Sequence, residues 1–183
     1  MLRDARIEDS AALRDVYAPF VEETHYTFEE VVPSVSAMSE RVAAAGPRHP
    51  WLVLEEGGEV VGYACAVPWK ARAAYSRSVE SSIYLAPSAR GRGAGTLLYS
   101  ALLDRLAATD VRAVLAGIAL PNPASIALHE KLGYTAVGQL REVGRKFGRW
   151  IDVGYWERVL SYSWGPGCVV GEDVDGREPL GEN

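Results

Sequence analysis

Ser88-Ala89-Arg90-Gly91-Arg92-Gly93-Ala94-Gly95-Thr96 decides the reading of this chain. It follows an apolar, strand-like run, Ile83-Tyr84-Leu85-Ala86-Pro87. It opens into a helical pattern that starts at Leu97-Leu98-Tyr99 and continues through Leu102 and Leu103 to Leu106. A glycine-rich turn between a strand and a helix start gathers several backbone N–H groups around one point. The helix macrodipole adds partial positive charge there, which suits phosphate oxygens. Glycine lets the backbone approach such a ligand, where a Cβ would collide with it. The stretch is an anion-binding elbow suited to a pyrophosphate.

Spacing narrows the pyrophosphate ligand. No Gly-Lys-Ser/Thr ending is present, so a nucleoside-triphosphate P-loop fails at its essential lysine. A dinucleotide fingerprint wants its glycines after the first strand and a ribose-binding acid about twenty positions later. Here the glycines fall mid-chain, and residues 111–115 offer no carboxylate at a strand end. What remains is Arg90-x-x-Gly93-x-Gly95, which resembles the Q/R-x-x-G-x-G/A signature of the GNAT acyltransferases, binders of the acetyl-coenzyme A pyrophosphate. Taken alone, so short a motif also fits a flexible loop, and its context has to decide.

With 183 residues and 48% hydrophobic content, one domain with a sizeable core is expected. No apolar run reaches membrane-spanning length, and Met1-Leu2-Arg3-Asp4 leads into a charged stretch rather than a signal peptide. Cys65 and Cys168 stand far apart without metal-ligand spacing, so neither a metal site nor a disulfide framework is expected. A soluble, cytoplasmic protein without a membrane partner follows. The net charge of -5 is weighted to the end, where Glu172, Asp173, Asp175, Glu178 and Glu182 face only Arg177. The remainder is near neutral and carries no nucleic-acid footprint.

The pattern along the chain is α/β. Residues 3–7 read as a first strand. Asp9 or Ser10 then caps a helix with apolar positions Leu13, Val16, Tyr17, Phe20 and Val21. Residues 22–33 are looser, and a second helix spans about 34–45. Residues 51–55 and 60–67 read as strands joined by the hairpin signal Gly57-Gly58. Residues 79–85 give the strand before the elbow, and 111–120 the strand after its helix. Asn122-Pro123 caps and opens a helix that stops at Gly133; residues 134–140 and 151–159 supply the last strands. Residues 161–183, rich in glycine and acids, read as a disordered tail, which leaves one domain over residues 1–160.

This order matches the GNAT arrangement: a mixed, mostly antiparallel central sheet flanked by helices on both faces. The likeness sharpens in Trp69-Lys70-Ala71-Arg72-Ala73-Ala74-Tyr75, Glu80-Ser81-Ser82-Ile83-Tyr84-Leu85, Leu120-Pro121-Asn122 and His129-Glu130-Lys131-Leu132-Gly133-Tyr134. It extends to Gly148-Arg149-Trp150-Ile151-Asp152-Val153-Gly154-Tyr155-Trp156. In these segments the chain resembles the phosphinothricin N-acetyltransferase family over nearly all of residues 1–160. The resemblance implies acetyl-CoA as co-substrate, a small-molecule amine as acceptor and a homodimer.

In such a reaction an amine attacks a thioester, and an ammonium ion cannot attack until it loses a proton. Glu80, a carboxylate in an otherwise buried strand pattern, is the candidate base, and burial would raise its pKa; a solvent-facing position at the strand start is the alternative. The family's matching glutamate is assigned that role. The GNAT resemblance also implies that Ile83, Tyr84 and Leu85 splay from the neighbouring strand to offer backbone groups to pantetheine, with a Leu85 N–H available to a developing oxyanion. The loop amides of Arg90, Gly91, Arg92, Gly93, Ala94, Gly95 and Thr96 then hold the pyrophosphate, assisted by the Arg90 and Arg92 charges.

Many GNAT enzymes carry a tyrosine as thiolate acid where this chain has His129, as the phosphinothricin branch does. A structural role on the helix is the competing reading. Asn122 caps its helix, and the resemblance adds a coenzyme contact. Tyr99 fits either core or active site. Lys70 and Arg72, with Trp69 and Tyr75, can clamp a carboxylate and a phosphinate or stand as a solvated loop. Phe28 and Tyr26 can wall the acceptor. The resemblance implies direct acetyl transfer to phosphinothricin or methionine sulfoximine, whose loss of the ammonium charge amounts to detoxification. Two alternatives stand beside it: a GNAT enzyme for a polyamine, an aminoglycoside or a protein N-terminus, and a non-catalytic acyl-CoA-binding module.

Overall fold

A computed structural model gives the architecture and describes residues 1–160; the expected 161–183 tail lies outside the described residues. Eleven helices and strands follow one another: β1 (Leu2–Asp4), α1 (Ser10–Glu23), α2 (Val35–Ala43), β2 (Trp51–Glu56), β3 (Glu59–Pro68), β4 (Ser78–Leu85), α3 (Ala94–Ala107), β5 (Ala113–Ala119), α4 (Pro123–Lys131), β6 (Thr135–Lys146) and β7 (Arg149–Val159). The strands form one seven-stranded sheet in the order β1-β2-β3-β4-β5-β7-β6. All neighbours are antiparallel except β4 and β5.

Local chemistry accounts for most element boundaries. β1 ends sooner than residues 3–7 suggested, because the Asp9 carboxylate accepts from the Arg6 amide at 2.7 Å and from both Arg3 terminal nitrogens at 2.7 and 2.9 Å. That cluster turns residues 7–9 into a short 3-10 turn. Gly57 and Gly58, at φ +60° and +87°, make the tight β2–β3 hairpin that only glycine adopts freely. Asn122 Oδ1 accepts from the Ser125 amide at 3.2 Å and caps α4, with Pro123 in its first turn.

Two buried clusters flank the sheet. On one face Leu13, Val16, Tyr17 and Val21 of α1 and Met38 and Val42 of α2 pack on Val53, Tyr63 and Cys65. On the other, Leu98, Tyr99, Leu102 and Leu106 of α3 pack on Leu52, Ala64, Val79 and Val114. Each large side chain so buried is worth roughly 1.5–3 kcal/mol in the folded state, which clamps the sheet between two helical layers.

The β6–β7 end departs most from the expectation. β6 continues to Lys146, well past residue 140, and a two-residue turn at Phe147 (φ +50°) and Gly148 (φ +74°) returns the chain into β7. The pairing slips between Leu140, opposite Val153, and Gly144, opposite Ile151, so residues 141–143 bulge out opposite Asp152. The Asp152 carboxylate holds this bulge, accepting from the Glu142 amide at 2.8 Å and Gln139 Nε2 at 2.6 Å. Bulges re-aim side chains, and this one turns Val143 toward the site described next.

Candidate active site

β4 and β5 pair for only three residues, Ser78, Val79 and Glu80 against Ala113, Val114 and Leu115. Beyond that point β4 stays with β3 and β5 stays with β7, so the two strands part. The Ala86 amide donates to the Val61 carbonyl at 2.9 Å. Hydrogen-bonded and open positions alternate along an antiparallel ladder, so Leu85 and Ile83 turn their backbone groups toward the gap. The gap is a cleft of about 450 Å³, walled by residues 81–85 and 116–119, by Gly91, Gly93, Gly95 and Thr96 of the elbow, and by Asn122, Ser125, Leu128 and His129.

The elbow departs from ideal helix geometry where its glycines stand. Gly91 (φ +74°) and Gly93 (φ +81°) are left-handed, Gly93 is the N-cap of α3, and a Cβ on either would meet no atom within 4 Å. Both glycines therefore face open cleft. Gly95 has a different reason, since its Cβ would lie 3.3 Å from Leu85 Cδ1 and 3.4 Å from Leu128 Cδ2, where β4, α3 and α4 converge.

The flanking arginines divide. Arg90 lines the cleft, donating from Nε to the Leu85 carbonyl at 3.1 Å with its guanidinium 5.0 Å from the Phe20 ring centroid. Arg92 turns away, its Nη2 donating to Glu56 and to the Ser88 carbonyl, each at 2.8 Å. Its charge is paired with a surface carboxylate at the end of β2. Ala94 is buried as the first residue of α3, so only its backbone can serve the elbow.

A second recess of about 250 Å³ adjoins the cleft, sharing Tyr26, Gly117 and Ala119 with it and adding Phe28, Glu80, Val143, Val153 and Tyr155. Glu80 is half-buried, and desolvation raises its carboxyl above the ordinary range, against the pull of Lys70 and of the Gly117 amide. Gly117 and Tyr155 are register partners on β5 and β7. A Cβ at Gly117 would sit 3.1 Å from Glu80 Oε1 and 3.5 Å from the Tyr155 ring, so the bare glycine leaves room for both groups. Among the recess residues, Glu80 is the sole carboxylate.

Lys70, Arg72 and Tyr75 lie on an exposed loop and line neither cavity. Lys70 Nζ stands 5.0 Å from the Trp69 ring centroid and adds positive potential at Glu80. Tyr99, left open between core and site, is fully buried and belongs to a polar network behind the cleft. Its hydroxyl lies 2.7 Å from Ser81 Oγ and 2.9 Å from His129 Nε2, and Ser81 also reaches Tyr134 Oη and the Leu115 carbonyl, each at 3.0 Å. His129 is 3% exposed. Its Nδ1 lies 2.7 Å from the Ser125 carbonyl, which can only accept, so Nδ1 carries the proton and Nε2 accepts from Tyr99. Burial lowers the pKa of this ring and keeps it neutral, opposed by the Ser125 carbonyl.

Residues 12–134 match the Acetyltransferase (GNAT) family. The chain belongs to the GNAT acetyltransferase family. This N-acetyltransferase is 43% identical to "Phosphinothricin N-acetyltransferase" of Streptomyces coelicolor, over 84% of this chain and 92% of that one. It is 34% identical to "L-methionine sulfoximine/L-methionine sulfone acetyltransferase" of Pseudomonas paraeruginosa, over 87% and 94%. Among solved structures, a GNAT superfamily phosphinothricin acetyltransferase from Sinorhizobium meliloti in complex with AcCoA superposes with a TM-score of 0.83 at 40% identity, covering 87% of this chain and 88% of that one. The mixed sheet with a parted β4–β5 pair is thus a GNAT sheet.

Ser81, Tyr134, Val143, Val153 and Tyr155 were not singled out as site residues from sequence. The last two had a usable signal, because alternate residues of one strand share a face. Val143 had none, since its aim depends on the bulge.

Proposed function

We propose that this GNAT enzyme transfers the acetyl group of acetyl-CoA to the amino group of a small amino acid-like acceptor, phosphinothricin or methionine sulfoximine. The observation that carries the reading is Glu80, a half-buried carboxylate in a small recess opening into the cleft. The names of the two relatives favour these acceptors. A polycationic aminoglycoside would call for several carboxylates, and the recess offers one. Lys70, on the exposed loop outside both cavities, adds the positive potential at Glu80 that favours an acceptor with anionic groups, and Phe28 is an apolar wall of the recess.

The coenzyme enters along the parted strands, its pantetheine amides bonding to Ile83 and Leu85 backbone groups beside Tyr84. Its pyrophosphate rests on the amides of residues 90–96, and Asn122 lines the same cleft. Glu80 takes the ammonium proton directly or through water, and the free amine attacks the thioester carbonyl. The Leu85 N–H stabilises the oxyanion, and the C–S bond breaks to release coenzyme A thiolate. The proton still carried by the attacking nitrogen passes, directly or through water, to the departing sulfur, which leaves the amide and the coenzyme A thiol.

His129 shapes the cleft as a neutral ring, because neither nitrogen has a free proton to give. His129→Gln should lower stability by about 1–3 kcal/mol, the cost of disturbing a buried hydrogen-bond network, while the pH profile of kcat/KM keeps its shape. Loss of one limb at unchanged Tm would instead make His129 the acid. A homodimer and a cytoplasmic, detoxifying role belong to the same reading. The exposed Val137, Leu140 and Trp150 on the β6–β7 hairpin offer surface to a second copy, and sedimentation tests that assembly.

The deciding assay is thiol release from acetyl-CoA with phosphinothricin, methionine sulfoximine, glutamate, spermidine and an aminoglycoside in parallel. Fast turnover is expected with the first two alone. Turnover confined to another amine discards this acceptor class, and silence with acetyl-CoA still bound makes the protein a coenzyme-binding module.

A further inference from the structure

Lys146 is 3% exposed at the end of β6, and the reaction as described does not use it. Burying an ammonium is expensive unless its protons are satisfied. Its Nζ donates to the Thr27 carbonyl at 2.8 Å and stands 5.1 Å from the Phe147 ring centroid. Burial pulls the Lys146 pKa down, and the Glu30 and Glu29 carboxylates push it back up. Thr27 lies in the segment between α1 and α2, which forms neither helix nor strand.

The two neighbours of Thr27 are acceptor-side wall residues. Tyr26 lines both the cleft and the recess, and Phe28 lines the recess. The Phe28 ring occupies the place a Gly144 Cβ would take, 2.2 Å from it, so the glycine two residues before Lys146 is the seat of Phe28. Thr27 Oγ1 also bonds the Tyr17 hydroxyl at 2.5 Å, and the Tyr17 ring packs edge-on against Tyr84 of β4, centroids 4.7 Å apart. One carbonyl contact therefore ties the β6–β7 hairpin to both neighbours of the acceptor wall.

We propose that Lys146 is a positioning residue for acceptor recognition, fixing Tyr26 and Phe28 as the recess wall by holding the Thr27 carbonyl. This rests on the reading that the recess takes the acceptor amine. The segment keeps other ties, Tyr17–Thr27, His25 Nε2 to the Pro121 carbonyl at 3.1 Å, and the paired Arg41–Glu29 hydrogen bonds at 2.9 and 3.1 Å, so losing Lys146 loosens the wall without unfolding it.

The test uses the full chain with saturating acetyl-CoA and whichever panel amine the wild type acetylates. Lys146→Met keeps the stem and removes the donor. Its acceptor KM should rise roughly tenfold, the scale of one lost buried hydrogen bond, with kcat within about twofold and acetyl-CoA affinity unchanged. Gly144→Ala, which displaces Phe28 from the other side, should give the same split, and Lys146→Leu reads the same loss of the donor if Lys146→Met does not fold. Unchanged acceptor KM in the folded variants overturns the assignment, and so does an equal loss of acetyl-CoA affinity. A wild type inactive on every amine overturns the acceptor reading itself, and the Lys146 role falls with it.

Discussion

Glu80→Gln lowers turnover at neutral pH by ~10²–10⁴-fold, the span typical of a single general base, while acetyl-CoA affinity measured by calorimetry stays close to wild type. Glutamine keeps the shape of the side chain and its place beside Gly117, so the coenzyme cleft is undisturbed; what is lost is the group proposed to accept the amine's proton. The pH dependence follows from the direction of the Glu80 shift. Desolvation raises its pKa above the ordinary glutamate range, so the acidic limb of kcat/KM lies higher than an exposed glutamate would place it, and activity falls as the pH drops through it. The variant has no such limb.

Stability runs the other way. A raised folded-state pKa contributes stability that is fully present below the unfolded value and is lost as pH rises through the folded one. At pH 7 the charged carboxylate therefore opposes folding, and Glu80→Gln should raise Tm as it removes activity. Near wild-type turnover would take Glu80 out of the base role.

Gly93→Val weakens acetyl-CoA binding by about ten- to a hundredfold, since a left-handed non-glycine residue costs of order 1–3 kcal/mol where it must be held. Two effects add. At φ +81° a β-branched residue is strained at the N-cap of α3, so the loop moves its amides out of position. If it did not move, the new side chain would project into open cleft, where nothing lies within 4 Å of the Cβ to seat it. Calorimetric titration with acetyl-CoA reads the loss, and an unchanged Kd would count against the elbow as the pyrophosphate site.

Most of the scaffold was legible in the sequence because its signals are local. The Gly57-Gly58 hairpin, the Asn122 cap and the apolar stripe of α3 each depend on residues within one or two turns. The elbow's turn was legible for the same reason, Gly91 and Gly93 standing where the backbone needs positive φ. Arg92 marks the limit of that reading. It sits inside the motif, yet a carboxylate on the β2–β3 hairpin, Glu56, claims its guanidinium.

The acceptor side belongs to tertiary structure. Glu80 stood out as a carboxylate in an apolar strand, but its environment depends on Gly117 and Tyr155, which strand pairing alone brings beside it. His129 was readable as a residue in the right place; its neutral state comes from Tyr99, on another helix, and from the Ser125 carbonyl one turn away. The recess wall joins Tyr26 and Phe28 to a bulge more than a hundred residues later, through a buried lysine and a glycine that accepts a ring. Periodicity and capping record what each segment does alone. Which side chain fills another segment's vacant Cβ, and which carbonyl receives a buried ammonium, is decided only when the sheet closes.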